Sequence, residues 1–155
     1  MAKLRGVYQA TLDEKGRVSI PARFRGGIPN NVLVITKSMY DSCIWAFTPE
    51  NMEKLTENLR NYWSTNGDMP MTPRQKDMFD HRVGFFTSEV EMDKAGRIMV
   101  PQKFRDYAGL TRDCVVTSDG TRIEIWDARR YEEYEQRVEE EFEAVVEKMG
   151  PLTLY

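Results

Sequence analysis

Leu12-Asp13-Glu14-Lys15-Gly16-Arg17-Val18-Ser19-Ile20-Pro21-Ala22-Arg23-Phe24-Arg25 returns eighty positions later as Met92-Asp93-Lys94-Ala95-Gly96-Arg97-Ile98-Met99-Val100-Pro101-Gln102-Lys103-Phe104-Arg105. Six of these fourteen positions are identical: Asp13/Asp93, Gly16/Gly96, Arg17/Arg97, Pro21/Pro101, Phe24/Phe104 and Arg25/Arg105. Identities at fixed spacing mark an internal duplication. A chain of 155 residues built this way reads as two half-size units that complete one shared core, neither of them stable alone.

Working outward, residues 6 to 12 alternate, with Tyr8, Ala10 and Leu12 on one face and Val7, Gln9 and Thr11 on the other, which is the period of a strand. Residues 17 to 20 read as the returning strand of a hairpin. Asp13 to Gly16 is its turn, where aspartate accepts backbone N–H bonds and glycine takes a positive φ. Pro21 fixes φ at the start of a short helix ending at Gly26-Gly27, with Phe24 facing the core and Arg23 and Arg25 exposed. Residues 32 to 36 and 43 to 47 are β-branched and aromatic strands, and Thr48-Pro49-Glu50 caps a helix expected to reach Tyr62. The second copy repeats the order: strands at 85 to 92 and 97 to 100, a helix opened by Pro101, strands at 114 to 118 and 122 to 126, and a long helix capped by Asp127. The expected fold is α+β, two tandem β-β-α-β-β-α repeats. The boundaries are 1–62 for the first repeat with its helix, 63–83 for a polar connection followed by a helix capped by Thr72, and 84–155 for the second repeat. In the last helix Tyr131, Tyr134, Val138, Phe142, Val145 and Met149 recur every three or four residues opposite a glutamate face, the pattern of an amphipathic docking helix.

Composition excludes several classes. Hydrophobic content of 41% with 30% charged residues is ordinary for a globular chain, and no apolar run approaches the roughly 18 residues of a membrane span. The first six residues lack the apolar core of a secretory signal, so a cytoplasmic location is expected. Cys43 and Cys114 have no Cys-x-x-Cys spacing and His81 is the one histidine, so no metal, cofactor or disulfide framework is expected. Trp45, Phe47 and Trp126 read as core rather than base-stacking residues, whereas Tyr62, Trp63 and Met69 are candidates for a subunit contact. Net charge is -3, but the chain is polarised: residues 1 to 40 carry seven basic against two acidic side chains, and residues 121 to 155 carry five against ten.

The basic residues coincide with the repeated motif. Lys15 and Arg17 flank the first turn, and Lys94 and Arg97 the second. A two-stranded ribbon fits a DNA major groove, where arginine bonds guanine O6 and N7 bidentately and lysine neutralises phosphate. Arg23, Arg25, Lys103 and Arg105 on the short helices would extend that surface toward the backbone. The turns alone account for Asp13, Gly16, Asp93 and Gly96, and ion pairs from Asp13 to Arg17 and Asp93 to Arg97 could serve only to hold them, at about 0 to 1 kcal/mol. Turn geometry does not require the Pro-x-basic-Phe-Arg continuation, which favours the binding reading.

The pattern Asp-x-x-Gly-Arg, apolar strand, Pro, basic residue, Phe, Arg, present twice from Leu4 to the helix after Asp127, resembles the MraZ family of bacterial proteins, within the AbrB and SpoVT swapped-hairpin β-barrel superfamily. The resemblance implies two interleaved half-barrels fused in one polypeptide. It also implies a transcriptional regulator of the division and cell-wall gene cluster, binding short G-rich direct repeats in its own promoter as a closed ring. Carried onto this sequence, it makes Lys15 and Arg17 the DNA contacts of the first motif and Arg97 the matching arginine of the second. The implied partners are double-stranded DNA and further copies of the chain, with no membrane or small-molecule substrate, and the location is nucleoid-associated. Ala95 in place of lysine, with Glu89 and Glu91 where the first repeat has Gln9 and Thr11, marks the first repeat as the main reader and leaves the second to touch DNA or to support assembly. The principal alternative is a ring-forming scaffold without specific DNA binding; an antitoxin-like module with a disordered tail fits the helical C-terminus less well. No catalytic residues are expected, because no Ser-His, Cys-His or phosphate-loop arrangement is present and each motif aspartate has an arginine four positions on.

Overall fold

The computed structural model describes residues 5–65 and 70–151. The first repeat supplies β1 (Arg5–Thr11), β2 (Arg17–Ser19), α1 (Ala22–Arg25), β3 (Val32–Lys37), β4 (Ile44–Phe47) and α2 (Pro49–Thr65). After α3 (Pro73–Asp80) and a wide π-type turn at His81–Phe85, the second supplies β5 (Ser88–Glu91), β6 (Arg97–Met99), α4 (Gln102–Ala108), β7 (Asp113–Asp119), β8 (Ile123–Asp127) and α5 (Ala128–Met149). The fold is α+β with tandem repeats, as the duplication predicts.

Strand pairing is exchanged between the repeats. A six-stranded antiparallel sheet runs β1-β7-β8-β4-β3-β5, and β2 and β6 form a separate two-stranded ladder. Swapping each strand for its repeat counterpart reverses that order onto itself, so the repeats are related by a pseudo-twofold between β4 and β8, where Trp45 faces Glu124. The expected hairpin partnership of residues 6 to 12 with residues 17 to 20 is corrected: β1 takes all seven of its partners from β7, and the only ladder contact across the first turn is the Leu12–Val18 bridge. Three-residue strands leave too short a ladder to compete with a seven-residue one, and hydrophobic alternation fixes the buried face of a strand without fixing its neighbour.

Three layers result. Val18 and Ile98 of the small sheet and Ile20 and Val100 just past its strands, with Phe24 and Phe104 of α1 and α4, close over one face of the large sheet, and all six are fully buried among Leu33, Ile35, Ile44, Val116, Ile123 and Ile125. On the other face Cys43, Trp45, Phe47, Val115 and Trp126 pack beneath Met52 and Leu55 of α2 and Tyr131 and Tyr134 of α5. The unbroken apolar run of β4 follows: Ile44 and Ala46 face the first core, Trp45 and Phe47 the second, so neither face meets water. Both cysteines are buried free thiols. Burial is the main cause that raises them, Cys43 far above its usual range and Cys114 to about 11.

Local ends follow side-chain chemistry. Thr48 Oγ1 accepts the Asn51 N–H at 3.2 Å and Asp127 Oδ2 the Arg130 N–H at 3.3 Å, and Thr72 and Gln75 form a reciprocal capping box. Two boundaries differ from expectation. Helix α2 runs past Tyr62 to Thr65 because Trp63 packs edge-on against Phe79 of α3 with centroids 5.5 Å apart. The strand expected from residue 85 begins at Ser88, since residues 81–85 continue the helix. Met69, the third residue considered for a subunit contact, lies outside the described residues, as do residues 1–4 and 152–155. No described helix is long and apolar enough to cross a membrane, and among the described residues no cluster of His, Cys, Asp and Glu could hold a metal ion.

Candidate nucleic-acid interface

The two motifs build one surface. In the β2–β6 ladder Arg17 faces Met99, Val18 faces Ile98 and Ser19 faces Arg97. Val18 and Ile98 point into the core, so alternation turns Arg17, Ser19, Arg97 and Met99 outward. Arg17 and Arg97 are diagonal neighbours, which sets their backbones about 7 to 8 Å apart. Beyond the ladder, the Ile20 N–H donates to Gly96 O at 2.8 Å and the Val100 N–H to Gly16 O at 2.9 Å. Each turn therefore abuts the strand of the other repeat, and the turns stand at opposite ends of a single ribbon.

Each turn is closed by its aspartate. Asp13 Oδ1 accepts the backbone N–H groups of Lys15 and Arg17, both at 2.9 Å, and Oδ2 accepts Arg17 Nε–H at 2.7 Å. Asp93 repeats this with Ala95, Arg97 and Arg97 Nε–H, all at 2.9 Å. The backbone N–H of Arg17 is the foremost cause holding the Asp13 carboxyl below the usual carboxylate range, and that of Arg97 does the same for Asp93. Both aspartates thus remain anions that fix their arginines by Nε. Among the described residues the terminal guanidinium nitrogens of Arg17 and Arg97 take no further hydrogen bond.

The remaining candidates divide. Lys15, Arg23, Lys94 and Lys103 are exposed around the ribbon, Lys103 with its ammonium 5.1 Å from the Phe104 ring centroid. Arg25, expected to be exposed, is half-buried, as is Arg105. Arg25 Nε donates to Ile20 O and Arg105 Nε to Val100 O, both at 2.9 Å. Their guanidinium groups lie where a Cβ on Gly96 or Gly16 would stand, over turns of the opposite repeat. This crossed arrangement follows from strand exchange and has no local sequence signal beyond the identity of the two arginines. Sequence reasoning also missed Ser19 and Met99, the cross-ribbon neighbours of Arg97 and Arg17.

Charge is layered. The ribbon and α1 and α4 cover one face of the sheet, while α5, with glutamates at 132, 133, 135, 139, 140, 141, 143 and 147, packs on the other. Glu89 and Glu91, which would repel phosphate beside the ribbon, lie on the outer strand β5 opposite Val34 and Val32. Net negative charge and a basic face are therefore compatible.

The family model described as MraZ protein, a description that also likens the family to antitoxins, matches residues 4–74 and 86–150. A protein of Acetivibrio thermocellus named Transcriptional regulator MraZ is 37% identical over 150 residues, covering 95% of this chain and 96% of its own length. The proteins of the same name from Treponema denticola and Frankia alni are 34% and 40% identical over 147 and 131 residues, covering 95% and 83% of this chain and 97% and 84% of their own lengths. These relatives are named as regulators, not as enzymes. With its duplicated turn motif, its exchanged strands and these similarities over nearly its whole length, the chain belongs to the MraZ family.

Proposed function

We propose that the chain is a sequence-specific DNA-binding transcriptional regulator in which the β2–β6 ribbon enters the major groove. The observation that carries this reading is the pair Arg17 and Arg97, outward on one ribbon, each fixed through Nε by an aspartate with its terminal nitrogens open to a base. A separation of about 7 to 8 Å spans roughly two base steps of about 3.4 Å, and arginine favours guanine, which suits G-rich sites. Lys15, Lys94, Arg23 and Lys103 supply phosphate contacts. In this reading both repeats read DNA through one ribbon, rather than the first repeat alone.

Assembly of copies into a ring, binding of direct repeats in the chain's own promoter, control of the division and cell-wall cluster, and a nucleoid-associated cytoplasmic location complete the proposal. Self-association is supported by α5, whose second half leaves Phe142, Val145 and Met149 more than half exposed. A groove of about 690 Å³ between α2 and α3, lined by Leu59, Trp63 and Val83 together with Arg60, Lys76 and Asp80, offers apolar and predominantly basic partners to that acidic, apolar helix. Such head-to-tail contact gives a ring when the rotation between copies closes, and weak ribbon contacts then sum over repeated sites.

Fluorescence anisotropy with the duplex upstream of the gene, against a shuffled duplex, tests this. The proposal expects preference for the native duplex and log K falling with log salt by about 0.9 per neutralised phosphate. Equal, salt-insensitive binding to both duplexes would favour a scaffold without specific DNA binding.

A further inference from the structure

We propose that Arg25 and Arg105 are positioning residues that act across the repeats: Arg105 sets the turn that aims Arg17, and Arg25 sets the turn that aims Arg97. This deepens the DNA-binding reading and rests on it for its effect on affinity. Each arginine closes a three-point loop. Arg105 Nε donates to Val100 O at 2.9 Å, the Val100 N–H donates to Gly16 O at 2.9 Å, and the Arg105 guanidinium covers Gly16, where a Cβ would stand 2.7 Å from Cζ. Arg25, Ile20 and Gly96 repeat the loop. Gly16 and Gly96 are buried in turns whose other residues are exposed or half-buried, and the Arg105 and Arg25 guanidinium groups occupy the space beside them. Gly16 immediately precedes Arg17, and its N–H donates to Asp13 O at 3.0 Å, so a guanidinium pressed on Gly16 holds the same turn whose aspartate orients Arg17.

A planar guanidinium can bond a carbonyl edge-on while stacking on a flat peptide; an ammonium cannot do both. Retaining charge should therefore not retain function. The alternative role, a direct phosphate contact from α1 and α4, is served by lysine almost as well.

The test uses Arg25→Lys and Arg105→Lys in the full-length chain, alone and combined with Arg17→Ala or Arg97→Ala. Hydrogen exchange without DNA should quicken over residues 13–17 in Arg105→Lys and over 93–97 in Arg25→Lys, each sparing the other turn. In DNA titrations each lysine variant should lose at least about threefold in affinity with its salt slope unchanged. The double-mutant coupling should likewise exceed about threefold for Arg17 with Arg105 and for Arg97 with Arg25, and be absent for Arg17 with Arg25. Lysine variants that bind as well as a wild type that prefers its native duplex, or exchange that quickens within the same repeat or uniformly, would overturn the proposal. Crossed exchange in the lysine variants, together with a wild-type chain that prefers no duplex, would uphold the brace while refuting the DNA-binding reading.

Discussion

Asp13 accepts the Arg17 Nε–H at 2.7 Å and the Arg17 backbone N–H at 2.9 Å through its two carboxylate oxygens. One side chain thus closes the turn and aims the guanidinium, and Asp93 does the same for Arg97.

Because both carboxyls are held below the usual range by bonds that exist only in the folded turn, they contribute stability above the ordinary carboxylate pKa. That contribution is lost as pH falls through their lowered folded values. Asp13→Asn should lower the melting temperature at neutral pH and flatten its decline in acid. An unchanged acid limb would separate Asp13 from turn stability.

Gly16 and Gly96 adopt φ of +85° and +78° beneath the Arg105 and Arg25 side chains. Alanine at either site meets a left-handed backbone cost of roughly 1 to 2 kcal/mol and displaces a guanidinium. Thermal melts should fall by several degrees, at about 2 to 4 °C per kcal/mol for a chain of this size. A Gly16→Ala melt equal to wild type would contradict the packing described.

Phe24 and Phe104 are fully buried in one core shared by both repeats. Phe24→Ala should cost about 3 to 5 kcal/mol, a large part of the roughly 5 to 15 kcal/mol typical of a domain. Since each repeat borrows a strand partner from the other, hydrogen-exchange protection in residues 88–149 should be lost in the same transition as protection in residues 5–65, together with the near-UV dichroism. A second repeat that outlasts the first would contradict a common core.

Much of this was legible in the sequence. The duplication, the Asp/Gly turns, the proline-opened helices, the caps at Thr48, Thr72 and Asp127 and the core role of Trp45 and Trp126 all depend on short-range spacing, which a sequence displays directly. Strand partnership was not legible. Tyr8, Ala10 and Leu12 announce the buried face of β1, but nothing local says that β7 rather than β2 supplies its hydrogen bonds. Arg25 read as exposed for the same reason: the turn it covers is about seventy residues away in sequence and arrives only through strand exchange.

The second half of α5 gives a prediction of its own. Phe142→Ser with Val145→Ser replaces side chains 58% and 54% exposed, so the fold should be unaffected while sedimentation shifts toward smaller species. Unchanged sedimentation would place self-association on another surface.

The central claim is that Arg17 and Arg97 on one ribbon read the same DNA site. Anisotropy titrations of Arg17→Ala, Arg97→Ala and the wild type against the native and shuffled upstream duplexes test it most directly. Each single variant should weaken binding to the native duplex by an amount on the order of 1 to 3 kcal/mol, the range for one bidentate base contact, and narrow its preference over the shuffled one. A folded Arg17→Ala that keeps the wild-type preference would contradict the account.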